Sequence, residues 1–409
     1  MEDIITCIDI GSSKVCVVIA RPTELGNIEI LGKAIEPCSG AKRGIITDPD
    51  SVSHSITTCI QKLRALVNIG AESAYINLMG QHTELFYYKS SVAISGQDGK
   101  IISKDIKKAI DQIETVKLPK GLRVVNIVPR HYIVDGRVQP TEPIGISGTK
   151  LEIGSDIIAG KDDVFKDILN ALQKSNITPD GFIAEALAIG ETALNPEEKQ
   201  EGTILIDVGG GVTNVSIFKD NNIVLYDSVP VGGEHITNDL SVGLDISLNE
   251  AEKLKREHGI ALTSIIKNDY EVIINEFDIN KRKTIKATQI AEIIEARVHE
   301  LFTLCREKLE EVERLGDLKG GIVLAGGGIF NIDGSAKLAK RIFGLPTSLI
   351  SHRLAGVTNS EHLTATAILK YVAGEMKTDR KNTKDGKTGK QKKGTGILNK
   401  ILGIFSGLF

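Results

Sequence analysis

The sequence predicts an α/β protein of two duplicated lobes around a cleft, with a smaller α/β subdomain inserted in the first lobe. The main observation is an internal repeat, because residues 4–14 read as a strand, an Asp-x-Gly turn and the start of a second strand. Residues 203–213 repeat this pattern, so that Asp9 and Asp207 open equivalent turns 198 residues apart. The second observation is that residues 84–160, between the repeats, carry a strand, helix, strand and strand pattern of their own.

Both copies of the repeat continue in the same way, which predicts a β-hairpin and a third strand in each lobe. The apolar run 15–20 leads through a Pro/Gly turn to 28–31, and 215–218 leads through Asn-Asn to 223–226. Amphipathic spacing predicts helices at 51–67, 161–175, 248–257 and 287–315. In the insert it predicts strands at 84–95, 123–134 and 151–159 and a helix at 103–114.

Composition and charge exclude several classes of protein. Of the 409 residues, 41% are hydrophobic and 25% are charged, which is typical of a globular chain with a large core. Aromatic residues make up 4%, Trp is absent and the net charge is −3, which argues against a nucleic-acid partner. The five cysteines are scattered, which argues against a disulfide framework or a zinc site and predicts reduced cysteines in a cytosolic protein. The acidic first residues lack the basic region of a signal peptide, and no apolar run reaches ~18 residues.

Three glycine-rich turns carry the chemistry. A glycine turn exposes backbone N–H groups to phosphate oxygens, and a carboxylate at the end of a strand can hold Mg²⁺ through its waters. The first turn offers Asp9, Gly11, Ser12, Ser13 and Lys14. The second offers Asp207, Gly209, Gly210, Gly211 and Thr213. Across a cleft the two turns would hold a phosphate chain with Mg²⁺ between Asp9 and Asp207, and the third turn (Gly326, Gly327, Gly328) would lie flat against a nucleobase.

These turns are similar to those of the actin, Hsp70 and sugar-kinase ATPase superfamily, and further motifs resemble the FtsA family of bacterial cell-division proteins. Residues 231–240 read Val-Gly-Gly-Glu-His-Ile-Thr-Asn-Asp-Leu, and 251–255 read Ala-Glu-Lys-Leu-Lys. In the insert, 127–136 read Ile-Val-Pro-Arg-His-Tyr-Ile-Val-Asp-Gly. The resemblance covers roughly residues 3–374 and resumes in the last segment.

The resemblance implies an actin-like fold of two ribonuclease-H-like lobes around a nucleotide cleft, with a 1C-type α/β subdomain inserted. It implies that ATP and Mg²⁺ bind in the cleft. Beyond the two phosphate turns and the adenine turn, it places on the nucleoside side Gly232, Gly233, Glu234, Glu252 and Lys255. The implied boundaries are subdomain 1A at 1–83, 161–202 and 355–374, subdomain 1C at 84–160, subdomain 2A at 203–230 and 301–354, and subdomain 2B at 231–300.

Hydrolysis needs a residue that orients water opposite the γ-phosphate. Residues 182–188 resemble the connecting helix of the superfamily, which makes Glu185 the candidate. Relatives often have Pro after this Glu, where this chain has Ala186, and Asn214 stands where Asp is usual. Because a charge near Mg²⁺ is lost, we expect at most slow ATPase activity.

The last 35 residues differ from the rest of the chain in charge and composition. Residues 375–409 carry nine basic and three acidic residues, so a tail of +6 follows a body of −9 and predicts an anionic partner. Segment 375–396 is predicted to be a disordered basic linker. At about 100° per residue, the large apolar side chains of 397–409 fall within an arc of about 160°. They predict an amphipathic membrane-targeting helix with the apolar face Ile397, Leu398, Ile401, Leu402, Ile404, Phe405, Leu408 and Phe409.

By resemblance, the partners are FtsZ, other division proteins, further copies of this chain and anionic membrane lipids. The expected location is peripheral, on the cytoplasmic side of the cell membrane at the division septum. Two alternatives share the superfamily: an FtsA-like pilus-assembly ATP-binding protein and a soluble ATP-dependent phosphotransferase. A phosphotransferase has no use for a lipid-binding tail, and an Hsp70-like chaperone would need a substrate domain after residue 374.

Overall fold

The computed structural model describes residues 4–275, 282–350 and 360–384. Each lobe is built on one mixed sheet, and its hydrophobic core lies between this sheet and the helices of the lobe. The first sheet has the order β11 (Thr178–Ala184), β6 (Ser73–Leu78), β1 (Ile5–Ile10), β2 (Lys14–Pro22) and β3 (Ile28–Pro37). The second has the order β18 (Thr347–Leu349), β17 (Gly321–Ala325), β12 (Thr203–Val208), β13 (Thr213–Lys219) and β14 (Asn222–Val229).

The two sheets repeat each other strand by strand. In each, the first three strands of the repeat are antiparallel neighbours, and the first of them pairs in parallel with a later strand. The register is the same too, since Asp9 lies opposite Cys16 and Asp207 lies opposite Asn214. The predicted duplication is therefore confirmed in topology and in register.

The inserted segment forms a sheet of its own. Its strand order is β7 (Thr83–Ala93), β10 (Lys150–Lys161), β8 (Leu122–Val134) and β9 (Arg137–Gln139), and α2 (Ser103–Glu114) packs on it. The apolar side chains of α2 and of these strands enclose a separate core. Two short hairpins complete the strands: β4 (Ala41–Lys42) with β5 (Ile45–Ile46), and β15 (Glu271–Asn275) with β16 (Arg282–Lys286).

In the described part of the chain, the remaining helices include the four predicted at 51–67, 161–175, 248–257 and 287–315, together with five that apolar spacing did not predict. In the first lobe they are α1 (Pro49–Val67), α3 (Asp162–Lys174), α4 (Glu185–Ala193) and α10 (Leu363–Lys384), and α5 (Pro196–Glu201) follows α4 and packs on β13 of the second lobe. In the second they are α6 (Gly233–Leu244), α7 (Leu248–His258), α8 (Ala287–Glu310) and α9 (Ser335–Phe343). None of the helices among the described residues is both long enough and apolar enough to cross a membrane.

The predicted end of α8 at residue 315 is wrong, because the helix ends at Glu310. A helix extended to residue 315 would carry three glutamates in its last turns, where the helix dipole disfavours negative charge: Glu310, Glu311 and Glu313. Val312 is exposed, so no apolar contact of this residue holds a further turn.

The predicted start of the linker at residue 375 is also wrong, because α10 continues to Lys384. Met376 packs against the core beside β1 and α4. The Lys377 Nζ donates a hydrogen bond to the Leu25 carbonyl over 2.9 Å. These two contacts hold the first turn after Gly374 in the helix. The rest of the linker and the predicted membrane-targeting helix at 397–409 lie outside the described residues.

Candidate functional site

The two Asp-Gly turns have the same backbone geometry. The Gly11 N–H donates to the Lys14 carbonyl over 2.9 Å, and the Gly209 N–H donates to the Val212 carbonyl over the same distance. Each turn links the first two strands of its repeat, so that each aspartate lies one residue before the end of its first strand. The duplicated hairpins therefore present two equivalent turns with a carboxylate at the root of each.

The two turns face each other. A Cβ built on Gly210 would lie 2.7 Å from the Ser13 Oγ, and one built on Gly211 would lie 2.8 Å from the Ser12 Oγ. A side chain at either glycine would therefore clash with the opposite turn. Ser13 is exposed, and Lys14 is partly so. Donors of both lobes thus meet in one cleft, as a phosphate-binding site requires.

Three carboxylates converge behind these turns. Burial raises the pKa of Asp9 to about 6, with Lys14 lowering it in part. Burial, followed by the charge of Asp9, raises the pKa of Asp207 to about 7. Burial and the charges of both aspartates raise the pKa of Glu185 well above its usual value. A cation between Asp9 and Asp207 would relieve this repulsion, so the residues present fit a divalent metal ion.

Glu185, the first residue of α4, is held from both lobes. Its Oε1 accepts from the Asn77 Nδ2 of β6 over 2.7 Å, and its Oε2 accepts from the Asn214 Nδ2 of β13 over 2.5 Å. All three side chains are buried. Asn77 also bonds the backbone of Ile10, directly before the first phosphate turn. The Asn214 Oδ1 accepts from the Ser228 hydroxyl and the Gly80 N–H.

This arrangement explains the asparagine at position 214. An aspartate there would place a second buried carboxylate about 2.5 Å from Glu185, whereas the amide donates to it. Asn77 was missed by the sequence reasoning. The available signal was a lone polar residue at the end of an apolar strand, which does not reveal its partner across the cleft.

The residues expected on the nucleoside side lie at the start of α6 and on α7. The Gly233 and Glu234 N–H groups each donate over 2.9 Å to the second phosphate turn, at Gly209 and Gly210. A Cβ on Gly232 would lie 2.4 Å from the Gly210 carbonyl oxygen. The start of α6 is therefore packed directly on the second turn, and the exposed side chain of Glu234 lies beside it.

Glu252 and Lys255 bind mainly to each other and to α6. The buried Lys255 Nζ contacts the Glu252 Oε2 at 2.6 Å, the Thr237 Oγ1 at 2.7 Å and the Gly233 carbonyl at 3.0 Å. Burial lowers the pKa of Lys255. Arg256, which the sequence reasoning missed, bonds Glu252 and reaches Glu361 of the first lobe at 3.2 Å. This network ties α7 to the turn and links the lobes.

The third glycine turn lies against the end of β12. Gly326 has a φ of 94°, and a Cβ on it would lie 2.3 Å from the Val208 carbonyl oxygen. A Cβ on Gly328 would lie 2.5 Å from the Gly209 carbonyl oxygen. Packing alone thus requires both glycines, while Gly327 is exposed. The adenine-facing role of this turn stays a prediction.

The structure brings the predicted turns and the start of α6 together, but several predicted side chains are engaged elsewhere. The buried Ser12 hydroxyl accepts a hydrogen bond from the Gly44 N–H over 2.9 Å. Thr213 is fully buried, and its hydroxyl donates to the Val231 carbonyl over 2.7 Å. The Thr213 side chain is therefore buried behind the second turn and does not face the cleft. Among the described residues, no group of three or more His, Cys, Asp or Glu could hold a metal by itself. Mg²⁺ commonly uses one or two carboxylates together with phosphates and waters.

Comparison with known proteins gives two family matches. The family model described as "Cell division protein FtsA" matches residues 204–367, and the one described as "SHS2 domain inserted in FTSA" matches residues 80–159. The chain is 28% identical to the cell division protein FtsA of Bacillus subtilis over 370 residues, which cover 90% of this chain and 83% of that protein.

Solved structures agree on the fold. MreB5 of Spiroplasma citri bound to ADP has a TM-score of 0.55 and 15% identity, and the match covers 94% of this chain and 99% of that chain. A PilM-PilN type IV pilus biogenesis complex has a TM-score of 0.57 and 16% identity, covering 91% of this chain and 98% of that chain. The fold is thus actin-like, as predicted. Together with the duplicated turns and the inserted subdomain, these matches show that the chain has an actin-like fold and is similar to the FtsA cell-division proteins over most of its length.

Proposed function

We propose that this protein binds ATP and Mg²⁺, polymerises at the inner face of the membrane and tethers FtsZ, and so the division ring, to that membrane. The observation that carries the nucleotide part is the meeting of two equivalent Asp-Gly turns with three converging carboxylates. The family supports a role in division. The amphipathic pattern of 397–409 supports attachment to lipid.

In the proposed complex the phosphates lie between the two turns. The free N–H groups of both turns, the Ser13 hydroxyl and Lys14 would bind phosphate oxygens, and Asp9 and Asp207 would hold Mg²⁺ through water. Bound Mg²⁺ would neutralise phosphate charge and position the γ-phosphate. Glu185 would orient a water, with Asn77 and Asn214 fixing both of its oxygens. Because the asparagines contribute no charge, we expect at most slow hydrolysis.

The proposed anchor is weak in a single chain. Eight large apolar side chains, partly buried at ~1 kcal/mol each, contribute ~8 kcal/mol before ordering is counted. Ordering a disordered segment opposes most of this gain, at ~1 kcal/mol or more per residue. Lysines near anionic lipid add up to ~1 kcal/mol each. A filament that carries many such segments would bind by avidity, which couples assembly to membrane attachment.

The second lobe carries the proposed contact with FtsZ. Among the described residues of the 231–300 region, three aliphatic side chains are strongly exposed: Val242 by 75%, Leu248 by 57% and Ile273 by 68%. The β15–β16 hairpin, which carries Ile273, lies beside the end of α6, since the Lys283 Nζ bonds the Leu244 carbonyl. An exposed apolar group rimmed by charge is typical of a protein-binding surface.

Flotation with anionic liposomes tests the proposal. The full chain and a chain stopped at Gly394 are each mixed with FtsZ and Mg-ATP. We expect the full chain to float and to carry FtsZ, and the shortened chain to leave both behind. Flotation without FtsZ would retain the anchor and favour the pilus-assembly alternative. If neither chain floats, the membrane proposal fails and a phosphotransferase screen becomes the next experiment.

Point variants separate the two surfaces. Ile404→Glu places a charge on the apolar face and should abolish flotation, whereas Asn399→Glu on the polar face is the matched control for added charge. Val242→Asp should release FtsZ while the protein itself still floats. Leu66→Asp, which changes an exposed residue outside this surface, is the control for Val242→Asp.

A further inference from the structure

A cavity of about 650 Å³ lies where both lobes, the insert and the C-terminal helix meet. Leu187 of α4 and Phe218 and Ile223 of the second lobe supply buried apolar side chains. Ile127 of the insert and Tyr371 and Gly374 of α10 also line it, and charged side chains, among them Glu191, Lys199 and Lys377, lie around this apolar part. None of Asp9, Asp207 and Glu185 lines it, so this cavity is separate from the nucleotide cleft. Its volume lies within the usual range of about 300–1,000 Å³ for ligand pockets.

The chain leaves the described structure next to this cavity. Gly374 lies in its wall, and α10 ends ten residues later, about 15 Å further along the helix axis. The twelve residues 385–396 then span about 20 Å on average as a flexible chain, and about 40 Å when extended. Segment 397–409 can therefore reach back to the cavity from the end of its own helix.

In segment 397–409 the large apolar side chains lie on one face of the predicted helix, and no other residue of the segment can cover that face. Away from a membrane, its eight large apolar side chains would stand in water unless another apolar surface covers them. A tether of this length keeps the segment near the cavity at an effective concentration on the order of millimolar. The cavity supplies a buried apolar floor at this distance.

We propose that, in the absence of a membrane, the apolar face of segment 397–409 docks in this cavity of its own chain. The docked segment cannot bind lipid, so the cavity and the membrane compete for it. This inference concerns the regulation of the membrane-binding segment proposed above. Under this proposal, lipid attachment requires release of the segment from the cavity. Attachment therefore depends on the elements that line the cavity.

Gly374 offers a direct test, because a Cβ at this position meets nothing within 4 Å. Gly374→Phe would fill the cavity from a helical position, and Gly374→Ala is the matched control without that bulk. Since the chain lacks Trp, Phe405→Trp supplies a single fluorophore on the apolar face. Without lipid, we expect blue-shifted, quencher-protected emission in Gly374→Ala and solvent-exposed emission in Gly374→Phe.

Lipid binding should change in the opposite direction. If nine-tenths of the chains hold the segment docked, Gly374→Phe should bind anionic vesicles about tenfold more tightly than Gly374→Ala. Equal emission and equal lipid affinity in the two variants would overturn the inference. Matching melting temperatures of the two variants establish that Gly374→Phe is folded.

Cross-linking gives a second measurement that does not depend on Gly374 variants. Thr192→Cys lines the cavity and is paired with Ile401→Cys, and Leu66→Cys with Ile401→Cys is the control. The native cysteines are buried. A bis-maleimide should join the cavity pair within one chain. Cross-links that form only between chains would assign the cavity to a second copy and overturn the inference. A segment that enters the cavity but never binds lipid would contradict the proposed anchor and leave this docking intact.

Discussion

Replacing Asp207 by Asn tests the electrostatics of the cleft. The carboxylate is buried beside Asp9, and its pKa rises from 3.8 to about 7. Between these two pH values the folded chain holds a proton that the unfolded chain has released. The free energy of unfolding of the nucleotide-free protein therefore falls as the pH rises from about 4 to about 7, and it stays low above that pH.

The magnitude follows from the same shift. At about 1.36 kcal/mol per pH unit, a rise from 3.8 to about 7 corresponds to about 4 kcal/mol above pH 7. Because part of the effect is shared with Asp9, we expect Asp207→Asn to stabilise the nucleotide-free protein by about 2–4 kcal/mol at pH 8. At pH 5, where Asp207 is already protonated in the folded chain, the stabilisation should be much smaller. The same variant should lose most of the stabilisation that Mg-ATP provides, which is about 2.7 kcal/mol at 100 times Kd.

Denaturant unfolding at pH 5 and pH 8, with and without Mg-ATP, measures both effects. Asp245→Asn is the control, because Asp245 is exposed and has a left-handed φ of 50°, which asparagine tolerates. An Asp207→Asn variant no more stable than the parent at pH 8 would refute the reasoning. A gain of the same size at both pH values would refute it as well.

Three further variants test the packing around the turns. Asn214→Ala removes the donor to the Glu185 Oε2 and the acceptor of the Ser228 hydroxyl, so it should lower the free energy of unfolding by about 1–3 kcal/mol and slow hydrolysis with little change in ATP affinity. Calorimetry and phosphate release measure this, and unchanged hydrolysis would contradict the positioning role. Gly232→Ala should destabilise the protein by about 1–3 kcal/mol and weaken ATP binding, because its Cβ would lie 2.4 Å from a carbonyl oxygen. Thermal melts of this variant are compared with those of Gly316→Ala, whose Cβ meets nothing within 4 Å. Lys255→Met removes the buried partner of Glu252, whose own side chain is 36% exposed, and should destabilise by about 1–3 kcal/mol, with partial recovery when Glu252→Gln is added; an equal loss in the double variant would show that the charge of Glu252 is not the cause.

The position of secondary structure could be predicted closely where local signals are strong. Helix α2 occupies the predicted residues 103–114, since its apolar spacing is regular throughout. The errors fall at helix ends, where a distant contact decides between helix and coil. Lys377 bonds Leu25, more than 350 residues earlier in the chain, and no local pattern encodes that contact.

The sequence predicted some residues of the candidate site but not the contacts of others. Both aspartates and their glycines were found, because a duplicated turn leaves a duplicated pattern. The local sequence around Thr213 is turn-like, but its hydroxyl points into the second lobe. The partners of Glu185 were not found, since Asn77, Glu185 and Asn214 are separated by 108 and 29 residues.

By itself, the sequence determined the duplication, much of the strand and helix pattern, the two Asp-Gly turns and the amphipathic pattern of the last segment, because each depends on a few neighbouring residues. Only the tertiary structure decided that the turns meet, that amides from both lobes hold Glu185, and that α10 runs past a large cavity with an apolar floor. These features depend on the packing of the two lobes, which brings together groups that lie hundreds of residues apart in the chain.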